Sequence, residues 1–308
     1  MTLSALYRVG KERLHKAGCD SPEFDAACLA EKAWGLDRQG LLLRGNREAL
    51  PQEEEAFLQM IEERAKHRPL QYILGSWPFM DMELMVGEGV LAPREDTEVV
   101  VRAAASLLQN ASSPLFGVDL CGGTGAVALG LCSLVPQLRM DCVEWMPQAF
   151  AFLEQNTRRF GEGRVKPVRG DVLDAETASI LLPQPVDVLI SNPPYVRAGE
   201  IPGLQEEVQQ EPHSALDGGQ DGLVFYRAIA DFWIPKVKPG GVVAVEIGEE
   251  QAEDVCQLFA KAGVKELCVH QDFAGLDRAV TGIYDKQKIK HRFDFLPESR
   301  CFSGESPV

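Results

Sequence analysis

Short apolar runs alternate with helix-patterned stretches through most of this chain, and that alternation constrains the fold more than any other feature. Runs near 116–121, 139–144, 165–169, 186–191 and 242–247 read as strands, each followed by room for a crossover helix. Strand–helix repeats of this kind close with right-handed connections into a parallel, doubly wound sheet. Two last runs, 264–270 and 278–284, with Ala274-Gly275 as a loose turn between them, are expected to form an antiparallel edge hairpin. The expected fold class is α/β: a doubly wound, mostly parallel seven-stranded sheet with a small helical domain ahead of it.

Residues 1–74 carry that helical pattern. Leu3 to Ala17, a stretch opened by Ser21-Pro22 and running to Trp34, and Gln52 to His67 all read as helices. Ser21 and Pro22 suit an N-cap and first helical position. Pro51 introduces the acidic run Glu53-Glu54-Glu55, which matches a helix N-terminus. Phe57, Leu58, Ile61 and Ala65 follow helical spacing and are expected in the core. The domain serves either as a substrate-docking element or as a scaffold. Residues 75–92 read as a β-hairpin linker, in which Met80, Met82, Leu84 and Val86 alternate before Gly87-Glu88-Gly89. Residues 93–285 form the sheet domain, opening with a helix from Pro93 to Glu98 onward, and 286–308 are expected to be a mobile tail. The long stretch between Tyr195 and Leu223 is expected to shape the entrance to a site, with Glu211 and Pro212 bracing it.

The first strand of the sheet domain, Phe116 to Cys121, runs directly into Gly122-Gly123-Thr124-Gly125 and then a helical stretch from Ala126 to Leu134. Glycines permit a tight turn and close approach of a ligand to the backbone. The next strand ends at Glu144, and an acid roughly twenty positions past a glycine loop is placed to accept the hydroxyls of an adenosine ribose. These features alone fit NAD as well. The loop is not G-x-G-x-x-G, however, and Asp119 stands ahead of it where dinucleotide folds need no acid. Gly170-Asp171 either meets the adenine edge or caps the segment that follows; both readings stand.

Ser191-Asn192-Pro193-Pro194-Tyr195 closes the strand 186–191. Two consecutive prolines remove two backbone donors and hold the chain extended. The turn projects one amide and one aromatic ring from the carboxyl end of a strand, where ligands of open α/β sheets bind. The Asn192 side-chain carbonyl and the Pro193 backbone carbonyl suit the two N–H bonds of a planar amino group, and Tyr195 suits stacking on it. Such a nitrogen is a poor nucleophile because its lone pair is delocalised; orientation and fixed dipoles would supply most of the catalysis, with no strong base. The plainer reading is a proline-rich loop with a structural Asn. Together with Glu144 and the glycine loop, the motif selects S-adenosylmethionine over NAD.

The net charge of −15 argues against a nucleic-acid substrate, because basic patches are needed to neutralise phosphates and clusters such as Arg158-Arg159 or Lys286 to Arg292 are short. A protein acceptor with basic elements fits better. No apolar stretch reaches membrane-spanning length, and Arg8, Lys11 and Arg13 interrupt the N-terminus before a signal-peptide core forms, so a cytoplasmic location is expected. Eight cysteines include no C-x-x-C pair, which fits a reducing compartment, and five scattered histidines suggest no metal site.

From about residue 1 to 284 the chain resembles the HemK/PrmC family of protein-(glutamine-N5) methyltransferases. The resemblance rests on Pro69-Leu-Gln-Tyr-Ile-Leu-Gly75, Gly89-Val-Leu-Ala-Pro-Arg-Glu-Asp-Thr-Glu98, Ser191-Asn-Pro-Pro-Tyr195, Glu211-Pro-His-Ser-Ala-Leu-Asp-Gly-Gly219, Lys238-Pro-Gly-Gly241 and Glu246-Ile-Gly248. It implies a class I S-adenosylmethionine-dependent fold and methylation of the Gly-Gly-Gln glutamine of peptide chain release factors. It further implies that Asn192, Pro193, Pro194 and Tyr195 hold the glutamine. Asp119, Cys121, Gly122, Gly123, Thr124, Gly125, Glu144, Asp171, Val172 and Asn192 would bind the donor. Two positions depart from the family pattern: Cys121 replaces a usual glycine and Glu144 a usual aspartate. The alternatives are adenine-N6 methylation of nucleic acid, glutamine methylation of another translation protein, and a non-catalytic donor-binding protein.

Overall fold

The computed structural model describes residues 1–109 and 114–285. The expected tail, 286–308, lies outside the described residues. The chain divides into two compact units: Met1–Trp77 with Val86–Glu88 and Leu204–Glu211, and the remainder.

The first unit is helical: α1 (Leu3–Lys16), α2 (Pro22–Trp34), α3 (Arg38–Arg44), α4 (Pro51–Arg64) and α5 (Leu70–Leu74). Leu3, Leu6, Leu14, Leu29, Phe57 and Ile61 are fully buried and make one apolar core. Trp34 packs on Phe57 with ring centroids 4.5 Å apart. Pro22 and Pro51 each open a helix, as their fixed φ and missing N–H allow. Ser21 stands at the N-cap position, but its side chain makes no capping bond. At α4 the stabilising acid is Glu53, whose carboxylate accepts the Leu50 N–H at 2.8 Å. The short helices α3 and α5 were not expected from the sequence.

The segment Leu204–Glu211 belongs to this unit through polar links. Arg64 is buried, donates from Nε to Asp25 Oδ2 at 2.7 Å, and pairs with Glu207. His67 meets Glu206 at 3.1 Å, Gln205 donates to Asp20 at 2.9 Å, and Gln210 donates to the Lys66 carbonyl at 2.9 Å. The long connection after Tyr195 is therefore a series of short 3₁₀ turns with a pinned middle.

A short hairpin, β1 (Ser76–Phe79) and β2 (Met82–Met85), precedes the second unit's helix α6 (Glu98–Leu108). The stretch from Pro93 is not yet helical; a single 3₁₀ turn at Glu95–Thr97 leads into α6. There follow β3 (Leu115–Leu120), α7 (Ala126–Leu134), β4 (Leu138–Glu144), α8 (Pro147–Phe160), β5 (Val165–Arg169), α9 (Ala175–Leu181), β6 (Val186–Ser191), α10 (Val224–Ala228), β7 (Val237–Glu246), α11 (Ala252–Lys261), β8 (Val264–Gln271) and β9 (Asp277–Tyr284). The seven strands β3–β9 lie in the order β5-β4-β3-β6-β7-β9-β8. All pairs from β5 to β7 are parallel, and β9 is antiparallel to both β7 and β8.

Strands buried on both faces explain the apolar runs that made the sheet legible. One face packs Val100, Leu129, Leu131 and Leu153 from α6, α7 and α8. The other packs Tyr226, Trp233, Val255 and Phe259 from α10, the segment after it, and α11. Chain direction across the sheet reverses between β3 and β6, which makes their carboxyl ends the topological switch point.

Candidate active site

The glycine loop leaves β3 through Cys121, which adopts φ +62°. That left-handed conformation is uncommon for any side-chain-bearing residue. The next residue must be glycine for a different reason: a Cβ on Gly122 would lie 2.4 Å from Cys142 Sγ, while its N–H donates to the Val143 carbonyl at 2.8 Å. Loop and β4 are thus in direct contact. Gly125 ends the loop at the N-cap of α7, also with positive φ. Asn156 of α8, fully buried, secures the outer side. Its Nδ2 donates to the Thr124 carbonyl at 2.9 Å and to the Met85 carbonyl at 3.0 Å, and its Oδ1 accepts the Met85 N–H at 2.8 Å.

Glu144, at the end of β4, is mostly buried beside this loop. Oε2 accepts the Gly123 N–H at 2.9 Å and Oε1 the Met146 N–H at 2.6 Å. Burial raises its pKa, opposed by those backbone donors. Asp119 lies beneath the loop and is 1% exposed. Its Oδ2 accepts the Ala128 N–H at 3.1 Å and the Cys142 thiol at 3.3 Å. Burial pushes Asp119 up to about 7. Asp171 accepts the Leu173 N–H at 2.9 Å, and Trp233 Nε1 holds the Val172 carbonyl at 2.9 Å. The residue that caps α9 is Asp174, bonded to the Glu176 and Thr177 N–H groups, so Asp171 is not that helix's cap.

Across the switch point, Ser191 pairs with Leu120 and its hydroxyl donates to the Leu120 carbonyl at 2.7 Å. Asn192 therefore leaves β6 next to where the glycine loop leaves β3. Asn192 Nδ2 donates to Thr97 Oγ1 at 3.2 Å. The Tyr195 hydroxyl donates to Glu246 Oε1 at 3.3 Å, and the Tyr195 carbonyl accepts from Gln251 Nε2 at 3.1 Å. Burial and the neighbouring Glu246 carboxylate push the Tyr195 phenol up. Glu246 is 2% exposed, its Oε2 is buried without a hydrogen-bond partner, and burial pushes it up to about 7 against the opposing pull of Thr97, Arg278 and the Tyr195 hydroxyl.

A cavity of about 300 Å³ opens among these elements, a size typical of small-molecule sites. The model for the PrmC N-terminal domain matches residues 5–75, and that for the methyltransferase small domain matches residues 97–228. The release factor glutamine methyltransferase of Geobacter sulfurreducens is 37% identical over 270 residues, covering 87% of this chain and 92% of that protein. The one from Moorella thermoacetica is 37% identical over 281 residues, covering 90% and 97%. The chain belongs to the release factor glutamine methyltransferase family. Beyond the family the likeness is of fold alone. The hMettl16 catalytic domain, crystallised in complex with MAT2A 3'UTR hairpin 1, shares 11% identity over 76% of this chain and 81% of that one, with a TM-score of 0.50.

In this family member the cavity wall includes Cys121, Gly122, Gly123, Thr124, Glu144, Asp171, Val172, Asn192 and Pro194 from the sequence-based set. Asp119, Gly125, Pro193 and Tyr195 lie outside that wall: Asp119 and Gly125 support the loop, and Tyr195 packs with the apolar core beside β7. Three polar residues with structural ties to the site carried no assigned role in the sequence reading: Asn156, Thr97 and Glu246. Thr97 and Glu246 fall within segments that signalled the family, which was the available clue. Nothing in the sequence around Asn156 marks it.

Gly123 is open on the cavity side, since a Cβ there would find only Val90 Cγ2, at 3.9 Å. Glu144 and Asp171 offer carboxylates at the cavity wall, and Arg94 lines it as well. The amide of Asn192 faces the same space from the opposite strand end.

Proposed function

We propose that this chain transfers a methyl group from S-adenosylmethionine to the side-chain amide nitrogen of the Gly-Gly-Gln glutamine of a peptide chain release factor, in the cytoplasm. The observation that carries this reading is the shared cavity wall: Asn192 and the glycine loop leave adjacent strands, held in register by Leu120 and Ser191. Curated relatives at this identity are named for release factor glutamine methylation, which supports the same acceptor.

The residues that would hold the donor are Cys121 to Gly125, Glu144, and the pair Asp171-Val172, with Glu144 accepting from the ribose. When bound, S-adenosylmethionine supplies an electrophilic methyl group whose bond to sulfur breaks as the bond to nitrogen forms. Asn192 Oδ1 and the Pro193 carbonyl each accept one N–H of the glutamine amide. Two acceptors in those positions favour pyramidal nitrogen and aim its lone pair into the cavity. The amide proton becomes acidic only as nitrogen gains the methyl, so it leaves to water and no side chain need act as a strong base. Pro194 shapes the slot, and Tyr195, behind it, anchors the turn through Glu246 and Gln251. Residues 1–74 act as the docking element, and the pinned segment Leu204–Glu211 is part of that unit.

The test is incubation with S-adenosylmethionine and three acceptors: a release factor, the same factor with Gly-Gly-Gln changed to Gly-Gly-Ala, and a DNA duplex, read by mass spectrometry. A single methyl on the intact factor alone is the expected result. Methyl on DNA, or an unmodified factor when donor binding is confirmed, would overturn the substrate.

A further inference from the structure

Gln251 stands at the N-cap position of α11, where a side chain ordinarily accepts from the helix's first free N–H groups, yet it makes no capping bond. It is 5% exposed, and its amide is spent on three other stretches of chain. Nε2 donates to the Tyr195 carbonyl at 3.1 Å and to the Gly222 carbonyl at 3.2 Å, and Oε1 accepts the Gly248 N–H at 3.0 Å. The Tyr226 hydroxyl, which donates to the Glu246 carbonyl at 2.9 Å, lies 3.5 Å from the same oxygen. Carbonyls only accept and a backbone N–H only donates, so these partners admit one orientation of the amide.

Tyr195 ends the Asn-Pro-Pro-Tyr turn, and Gly222 is where the long connection that follows it comes back. The outgoing and returning limbs are hydrogen-bonded to each other there. The Val196 N–H donates to the Leu216 carbonyl, the Gly218 N–H to the Val196 carbonyl and the Ala198 N–H to the Gly219 carbonyl, each at 2.9 Å. Gln251 closes the neck of this loop. The packing is tight enough to require glycine: a Cβ on Gly222, at φ +75°, would lie 2.5 Å from both Gln251 Nε2 and the Tyr195 carbonyl oxygen.

The returning limb supplies Pro212, Ser214 and Ala215 to the cavity wall, and the outgoing limb starts from Asn192 and Pro194 of the same wall. The residues that would hold the donor, Cys121 to Thr124, Glu144 and Asp171, stand at the ends of β3, β4 and β5. The neck therefore bears on one half of the cavity.

We infer that Gln251, which lines no part of the cavity, is a positioning residue: by tying Tyr195 to Gly222 it fixes the spacing between Asn192 and the wall made by Pro212, Ser214 and Ala215, and so sets the width of the acceptor slot without bearing on the donor side. The inference rests on the proposed glutamine chemistry. It goes beyond it in assigning the fit of the acceptor to a residue that touches neither substrate.

Two measurements test the inference. Gln251→Met keeps the length of the side chain and none of its bonds, while Gln251→Glu keeps an acceptor for Gly248 and sets a carboxylate against two carbonyls. With a release factor as acceptor, both variants are expected to lose about 10- to 100-fold in kcat/KM for the acceptor and to keep S-adenosylmethionine affinity within about 2-fold. Gly222→Ala, which spreads the neck from its other side, should show the same split. A donor affinity that falls in step with kcat/KM would make Gln251 a general support of the fold and overturn the inference. So would wild-type kcat/KM in Gln251→Met and Gln251→Glu, with the methyl transfer itself left standing. The second measurement needs no acceptor. Hydrogen exchange read by mass spectrometry should be about 10-fold faster or more in Gln251→Met over residues 196–203 and 213–222, and unchanged over residues 117–129. Wild-type exchange at the neck overturns the inference even if the release factor is the wrong substrate.

Discussion

The Ser191 hydroxyl donates to the Leu120 carbonyl at 2.7 Å, between the ends of two parallel strands that are 71 positions apart in the chain. One residue further along, each strand delivers its own part of the site: Cys121 and the glycine loop from β3, Asn192 and the prolines from β6. The bond ties the two halves at the point where the strand order reverses, so the glycine loop and Asn192 are held to one geometry by the sheet itself.

Asn192→Ala removes the side-chain acceptor and leaves the glycine loop, Glu144 and Asp171 untouched. Donor affinity measured by calorimetry should stay within a few fold of wild type, while turnover with a release factor falls by about 100-fold or more. Near-normal turnover would discard the proposed grip on the amide.

Cys121 combines a left-handed backbone with a half-buried side chain at the cavity wall. Cys121→Gly relieves the backbone and loses the packing, so its stability in urea should stay within about 1 kcal/mol of wild type. Cys121→Val places a β-branched residue at φ +62° and should lose about 2 kcal/mol or more. Equal stability of the two variants would contradict this account.

Asn156 satisfies three backbone groups, the Met85 N–H and carbonyl and the buried Thr124 carbonyl. Asn156→Ala should lower unfolding stability by about 2 to 4 kcal/mol. It should also weaken donor binding, since Thr124 is then held only by its neighbours. Thermal unfolding with and without S-adenosylmethionine reads both effects.

Arg64 neutralises two carboxylates, Asp25 and Glu207, in the helical unit. Arg64→Ala leaves Asp25 buried without its cation and should cost about 3 to 5 kcal/mol. It should also expose the chain near residues 204–211 to limited proteolysis. Unaltered cleavage of that stretch would mean that the ion pairs do not hold it.

Asp119 and Glu246 both titrate at about 7, above their ordinary values of 3.8 and 4.5, because burial disfavours the charged forms. Between about pH 4 and 7 the folded chain therefore holds protons that the unfolded chain has released. Stability falls as pH rises through that window, on the order of 3 to 4 kcal/mol per carboxyl, and is level above it. Below it, Glu23 and Glu53, whose pKa values are lowered by bonds to Lys11 and Arg38 and to Arg47, lose their partners' support as they protonate. The melting temperature should peak near pH 4. The double variant Asp119→Asn with Glu246→Gln should flatten the slope between pH 5 and 7, and a slope equal to wild type would show that other groups set it.

Much of this protein was legible in its sequence, for identifiable reasons. Parallel strands buried on both faces leave apolar runs, so β3, β4, β6 and β7 stood out within a residue or two, except that β7 begins earlier, at Val237. The glycine loop and Asn-Pro-Pro-Tyr were visible because their chemistry is carried by consecutive residues whose backbone limits are local. Local rules failed where a side chain had a choice of partners. Ser21 stands at a helix start without capping it, and Asp174 rather than Asp171 caps α9. The short helices α3 and α5 are too brief for a periodic signal, and packing on the helical core defines them.

By itself the sequence determined the fold class, the strands that end at the site, and the residue types suited to gripping an amide and a nucleoside. Only the tertiary structure decided which of those residues share a cavity wall and what stands behind them. Thr97 reaches Asn192 across 95 positions and Asn156 reaches Met85 across 71. Such pairings are set by the order in which strands and helices pack, and a hydrogen bond between distant residues leaves no mark on the spacing of either. The partner of the Asn192 amide belongs to the same class: it is the hydroxyl of Thr97, which no pattern around residue 192 contains.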